Sequence, residues 1–207
     1  MKNIAVFVSG SGSNLQNLID ACSKGEINGK IVLVISSRED AYALERAKAH
    51  NIKSAVFSKD NYQTLELMYA DIIELLKKES IDLILLAGYM LILTENIISK
   101  YRNKIINVHP SLIPAFCGKG YYGLKVHEAV IKNGAKITGA TVHFVDEGAD
   151  TGPIIMQGTL NVNPDDTPLT LQKRVLEIEH KIYKKAVKLF CEDKLEINGR
   201  IVTINIE

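Results

Sequence analysis

The segment "NIAVFVSGSGSNLQNLIDACSKG", residues 3–25, decides the fold. It opens with a compact apolar, β-branched run, the pattern of a buried strand. Gly10 and Gly12 break that run. Helical spacing then carries the chain to Gly25, a residue that ends helices well. A strand feeding a helix through a glycine turn is the first unit of an α/β protein. The rhythm repeats outward: "KIVLVISS" (30–37) precedes a helix over 41–51, and "SAVFS" (54–58) precedes a long amphipathic helix over 62–80. "IDLILLAGY" (81–89) is the most hydrophobic strand and is expected at the centre, covered on both faces. A capped helix over 94–103 and a fifth strand, "KIINVH" (104–109), follow. Strands separated by helices predict a parallel sheet.

From Lys136 the rhythm changes. "KITGATVHFVD" (136–146) and "GPIIMQGTLNV" (152–162) read as adjacent antiparallel strands. A long C-terminal helix spans 167–193. "LEINGRIVTIN" (195–205) reads as a hairpin, its Asn198-Gly199 pair suited to a type I′ turn. The expected fold is α/β, a mainly parallel Rossmann-like sheet with an antiparallel C-terminal part. Residues 1–207 are expected to form one domain: a nucleotide-binding half over 1–110, then 111–207.

Composition narrows the function classes. Of 207 residues, 46% are hydrophobic and 24% charged, and net charge is +1, so no general nucleic-acid-binding surface is implied. No apolar run reaches the roughly 18 residues that would span a membrane. The N-terminus reads as strand and turn rather than signal peptide, giving a cytoplasmic expectation. Cys22, Cys117 and Cys191 are odd in number and widely spaced, as expected of ordinary reduced thiols. Cys117 lies eight positions after His109, which makes a thiol nucleophile worth weighing.

The glycine loop suits phosphate. Gly10 and Gly12 allow close backbone approach, and Ser13 and Asn14 begin the helix whose free N–H groups and dipole attract anions. A dinucleotide fingerprint would place glycine where Leu15 stands and an acid where Ser36 and Ser37 stand, so nicotinamide binding is disfavoured. No Walker lysine follows. A ligand-free glycine turn is the plain alternative.

In open α/β sheets, ligands lie beyond the carboxyl ends of the strands. Asn107 and His109 end the fifth strand there, at alternate positions, and Pro110 stops the ladder. Asn107 offers an amide donor for a developing oxyanion, and His109 an acid or base near neutral pH. Ile113–Pro114 is a candidate cis bond. The turn in "VHFVDEGADTGPI" gathers Asp146, Glu147 and Asp150, any of which could orient His109; spacing leaves the choice open. Ser111 is the nearest hydroxyl, but it sits between prolines. His109, His127 and His143 show no metal spacing. Asn, His and Asp without a nucleophile suit direct transfer between two bound substrates. Against this stands the bland alternative of a capping asparagine, a satisfied histidine and a solvated acidic loop.

Together "SGSGSNLQ", "LAGYMLIL", "INVHPSLIP", "GATVHFVDEGADTGP" and "EIEH" resemble, in order, the folate-dependent glycinamide ribonucleotide formyltransferase family, over residues 2 to about 195. The resemblance implies formyl transfer from 10-formyltetrahydrofolate to the amine of glycinamide ribonucleotide in purine synthesis, with no metal and no NAD. It maps the catalytic positions onto Asn107, His109 and Asp150. Asn107 and protonated His109 would hold the oxyanion, and Asp150 would position His109 and a water. Gly12, Ser13 and Asn14 match the ribonucleotide phosphate loop, and Glu179 a residue on the ribose hydroxyls. Met90, Leu91 and Leu93 match the pterin wall, with Val145, Asp146, Glu147 and Asp150 opposite. Leu91 replaces a frequent arginine. Lys59 stands where an arginine is common, without its bidentate fork. Gly118, Gly120 and Gly123 suggest a flap over the site. The implied partners are small molecules, with no nucleic acid or membrane, for a monomer or homodimer. A formyltetrahydrofolate hydrolase or methionyl-tRNA formyltransferase shares the triad; both family relatives carry a further domain that this chain is not expected to have. A non-catalytic nucleotide- or folate-binding protein is the alternative from another class.

Overall fold

The computed structural model describes residues 1–205. The chain divides into two compact units, Met1–Asn107 and Val108–Glu207.

In the first unit, β1 (Lys2–Val8), β2 (Gly29–Ser36), β3 (Lys53–Val56), β4 (Leu83–Leu86) and the first three residues of β5 (Ile105–His109) pair in parallel. Their order is β3-β2-β1-β4-β5. Ile4 through Val8 are fully buried, as is most of β4. Burial on both faces is why these strands read as unbroken apolar runs. The connections supply α1 (Ser13–Ser23), α2 (Tyr42–Ala49), α3 (Leu65–Lys78) and α4 (Glu95–Lys100). Helix α3 starts later than its spacing predicts. The Thr64 hydroxyl accepts the Leu67 N–H at 3.3 Å and caps it there, while Lys59–Asn61 forms a separate 3₁₀ turn.

In the second unit, β6 (Ile137–Phe144) and β7 (Ile154–Asn161) run antiparallel, with a register shift between Val142 and His143. Helix α6 (Pro168–Cys191) begins with a Thr167–Thr170 capping box and Pro168 in its first turn. It closes on β7 at Gly158, where an added Cβ would lie 2.5 Å from Ile178 Cγ2. The terminal hairpin is β8 (Leu195–Asn198) and β9 (Ile201–Ile204), and β9 meets β7 in parallel through Ile154 and Ile201. The α/β class, the antiparallel C-terminal part and the long last helix are thus all present.

Three details depart from or sharpen the sequence reading. Asn198 pairs with Ile201, so the hairpin turns on Gly199-Arg200 rather than Asn198-Gly199. Only Gly199 of that pair has positive φ, the pattern of a II′ turn and not I′. Helix α5 (Leu124–Lys132) was not anticipated from the sequence. The Ile113–Pro114 bond is cis.

Candidate active site

His109 closes β5 and is 5% exposed. Its Nε2 donates to the Phe116 carbonyl at 2.9 Å, since a carbonyl only accepts. Its Nδ1 faces Asp150 Oδ2 at 3.4 Å. The structure therefore chooses among the three acids that spacing left open. Asp146 is spent inside its own turn, where its Oδ1 accepts from Gly148 N–H and the Thr151 hydroxyl. Glu147 is exposed. Asp150 also accepts the Gly118 N–H at 2.9 Å, and its φ of 59° turns it back from the β6–β7 connection. Asn107, half-buried, lies two positions before His109 on the same strand.

Sequence reasoning weighed His143 only as a metal ligand and gave it no place beside His109. His143 is 2% exposed on β6, and its Nδ1 donates to the Phe144 carbonyl at 2.8 Å. Its Nε2 stands 3.6 Å from Asp150 Oδ1, beyond a hydrogen bond but within ion-pair range. Asp150 is thus held between two histidines. The signal was a histidine at a buried position of β6, where a polar side chain needs a partner.

Electrostatics follow from this enclosure. Burial opposes ionisation of Asp150, yet His143, His109 and the Gly118 N–H together keep its carboxyl below the usual range. Burial pushes the His109 pKa down, against the pull of Asp150 and the Phe116 carbonyl, with His143 adding to the depression.

Neither candidate nucleophile, Ser111 or Cys117, is set up to compete for this place. Ser111 is fully buried and donates its hydroxyl to the Ala115 carbonyl at 2.6 Å. Burial, then the Asp150 charge, pushes the Cys117 thiol up, and its Sγ rests on the Pro114 carbonyl at 3.4 Å. Among the described residues, no cluster of three or more His, Cys, Asp or Glu side chains has the arrangement to hold a metal ion.

On α5, His127 is 1% exposed, and its Nδ1 has no hydrogen-bond partner among the described residues. Burial, and secondarily the His109 charge, lowers its pKa from 6.5 to about 4. Between those values the unfolded chain binds a proton that the folded chain refuses, so stability rises with pH across that window. Acidification from pH 7 to 5 should therefore cost about 1–2 kcal/mol through this group. His127→Phe should flatten that part of the melting-temperature profile; an unchanged slope would remove His127 as the source.

In the first unit, Gly12 (φ 71°) is the N-cap of α1, Ser13 opens the helix, and Asn14 is 8% exposed. Ser9 Oγ, another residue not singled out from sequence, accepts the Met90 N–H at 2.9 Å and lies 2.6 Å from Ser37 Oγ. It ties the loop after β1 to the segment after β4. That segment exposes Met90, leaves Leu91 half-exposed and buries Leu93. Leu93 can therefore offer a ligand backbone more readily than side chain. Lys59 is exposed on the 3₁₀ turn. In the second unit, Glu179 is half-buried on α6, and Val145 precedes the acidic turn. A cleft of about 420 Å³ beside Cys22 and His50 contains none of these residues; burial raises the Cys22 thiol to about 11.

A family model described as formyl transferase matches residues 2–187. The chain belongs to the formyl transferase family. Its relatives include a phosphoribosylglycinamide formyltransferase of Haemophilus influenzae, 40% identical over 205 residues, covering 99% of this chain and 94% of that one. A chloroplastic phosphoribosylglycinamide formyltransferase of Arabidopsis thaliana is 41% identical, covering 94% of this chain and 67% of the plant protein. The crystal structure of glycinamide ribonucleotide transformylase 1 from Symbiobacterium toebii superposes with a TM-score of 0.93 at 41% identity, covering 99% of this chain and 94% of that one.

Proposed function

We propose that this formyl transferase moves the formyl group of 10-formyltetrahydrofolate to the primary amine of glycinamide ribonucleotide, a step of purine biosynthesis. The observation that carries the reading is the His109–Asp150 pair, with Ser111 and Cys117 withheld from nucleophilic use. The amine lone pair attacks the formyl carbon, and the carbonyl π electrons move to oxygen. The Asn107 amide donates to that oxyanion. Negative charge beside His109 favours its protonation, so the imidazolium forms along with the oxyanion. Asp150 orients the ring and, through water, receives the amine proton. The same water returns that proton from Asp150 to the folate nitrogen as the carbon–nitrogen bond breaks, the carbonyl re-forms, and His109 gives the proton it took from solvent back to solvent.

The same reading assigns Gly12, Ser13 and Asn14 to the ribonucleotide phosphate and Glu179 to its ribose hydroxyls. Met90, Leu91, Leu93 and the turn from Val145 through Asp146 and Glu147 to Asp150 take the folate, with Lys59 toward its tail carboxylates. It makes residues 1–207 one formyltransferase domain that works in the cytoplasm on small molecules, as a monomer or homodimer, without a metal. Among the described residues, no helix is long and apolar enough to cross a membrane.

Purified protein is mixed with 10-formyltetrahydrofolate, and deformylation is followed by absorbance with and without glycinamide ribonucleotide. Signal that requires the ribonucleotide, together with formylated product, is the expected result. Deformylation without it would replace the transferase with a hydrolase. Silence in both arms from folded protein would overturn the catalytic reading.

A further inference from the structure

The glycine loop is shaped by a residue outside it. Three successive carbonyls are already engaged. Gly10 O accepts the Ala43 N–H at 3.1 Å, Ser11 O accepts Arg46 Nε at 2.9 Å, and Gly12 O accepts the Gln16 N–H at 2.9 Å. Two of these donors lie on α2 and one on α1. A trans peptide is planar, with its N–H opposite its C=O. Turning these three carbonyls toward the helices therefore turns the N–H groups of Ser11, Gly12 and Ser13 the other way. Successive N–H groups on one side of a turn, at a helix N-terminus, form an anion-binding concavity.

Of the three donors, only Arg46 is a side chain. It is held from several directions. Its Nη1 donates to Gln16 Oε1 at 3.2 Å, bracing the loop against the first turn of α1. Its guanidinium carbon lies 5.0 Å from the Tyr42 ring centroid, a cation–π distance. Its Cδ lies 3.4 Å from where a Cβ on Gly12 would stand, and Ala43 Cβ is closer still at 2.7 Å. Helix α2 thus fits against the loop with no room for a side chain at position 12. Arg46 is half-buried, and its planar guanidinium carries a positive charge.

We infer that Arg46 is a positioning residue for the ribonucleotide phosphate: by holding the Ser11 carbonyl against α2 it aims the Gly12 N–H at the ligand. This rests on the assignment of the loop to the ribonucleotide. Arg46 does not touch the phosphate in this scheme. It fixes the direction of a backbone donor and adds fixed positive charge behind it.

The test is a steady-state comparison of Arg46→Ala, Arg46→Lys and Ser13→Asp, with both substrates varied and melting temperatures recorded. Arg46→Ala should raise the ribonucleotide KM about tenfold, with kcat and the folate KM within about twofold, the pattern of lost ground-state binding. Arg46→Lys keeps charge and one donor and should recover most of that loss. Ser13→Asp places a carboxylate at the helix N-terminus and should raise the ribonucleotide KM whatever Arg46 does. If Ser13→Asp acts but Arg46→Ala leaves the ribonucleotide KM unchanged, the role of Arg46 is overturned and the loop assignment stands. Equal rises in both KM values with a lowered melting temperature in Arg46→Ala would make Arg46 merely structural. An unchanged ribonucleotide KM in Ser13→Asp would remove the loop assignment, and this inference with it.

Discussion

Asp150→Asn should lower kcat by about 10²–10⁴-fold while changing each KM only a few-fold, because catalysis loses the charge that orients and steadies His109. The substitution isolates charge from shape. Asn is nearly isosteric with Asp, and its oxygen can still accept the Gly118 N–H that Asp150 takes at 2.9 Å. Asn also tolerates the left-handed backbone that Asp150 adopts at φ 59°. Loss of turnover is therefore expected from a folded protein. The histidine should report the same event. Burial already depresses the His109 pKa, and Asp150 is the strongest opposing influence. Removing that carboxylate must move the His109 titration further toward acid, which NMR of the ring can follow. Near-normal kcat would remove Asp150 from the mechanism. A His109 titration displaced upward would contradict the electrostatic account.

Gly152→Ala should destabilise the fold by about 3–5 kcal/mol, among the larger costs of single substitutions. A Cβ there would lie 1.8 Å from the Phe144 carbonyl oxygen, 2.8 Å from its carbon and 3.3 Å from the Asp146 nitrogen. All three are backbone atoms, so no side-chain rotation relieves the overlap. Phe144 cannot easily retreat, for it is 1% exposed and its N–H donates to the Pro153 carbonyl at 2.9 Å. The expected fall in melting temperature is about 6–20 °C for a chain of this size. Gly10→Ala is the internal comparison, since a Cβ there meets nothing within 4 Å. Similar melting temperatures for the two variants would show that the turn carrying Asp150 adopts another path.

The parallel strands were legible because they are buried on both faces, and their apolar runs stand out from the helices between them. The long α6 was equally clear from its Thr167-Pro168 start and sustained spacing. Helix α5 escaped notice for a definite reason. Gly118, Gly120 and Gly123, all with positive φ, precede it and suggest a loop. Its buried positions are Val126, His127 and Val130, so one residue of its inward stripe is a histidine. A pattern that treats histidine as polar does not register that stripe.

Sequence by itself determined the alternation of strand and helix, the glycine loop at the first helix, and the place of Asn107 and His109 at the end of a buried strand. Those features depend on local spacing and on which residues water excludes. Tertiary structure decided the rest: that Asp150 rather than Asp146 or Glu147 faces His109, that His143 stands on its other side, and that Arg46 holds the Ser11 carbonyl. These pairs join residues 35 to 41 positions apart, or, for His143 and Asp150, residues across a turn whose path is set by a left-handed Asp150 and a crowded Gly152. Hydrogen bonds and ion pairs depend on distances of a few ångströms. Only packing of the folded chain fixes distances that fine between residues so far apart in sequence.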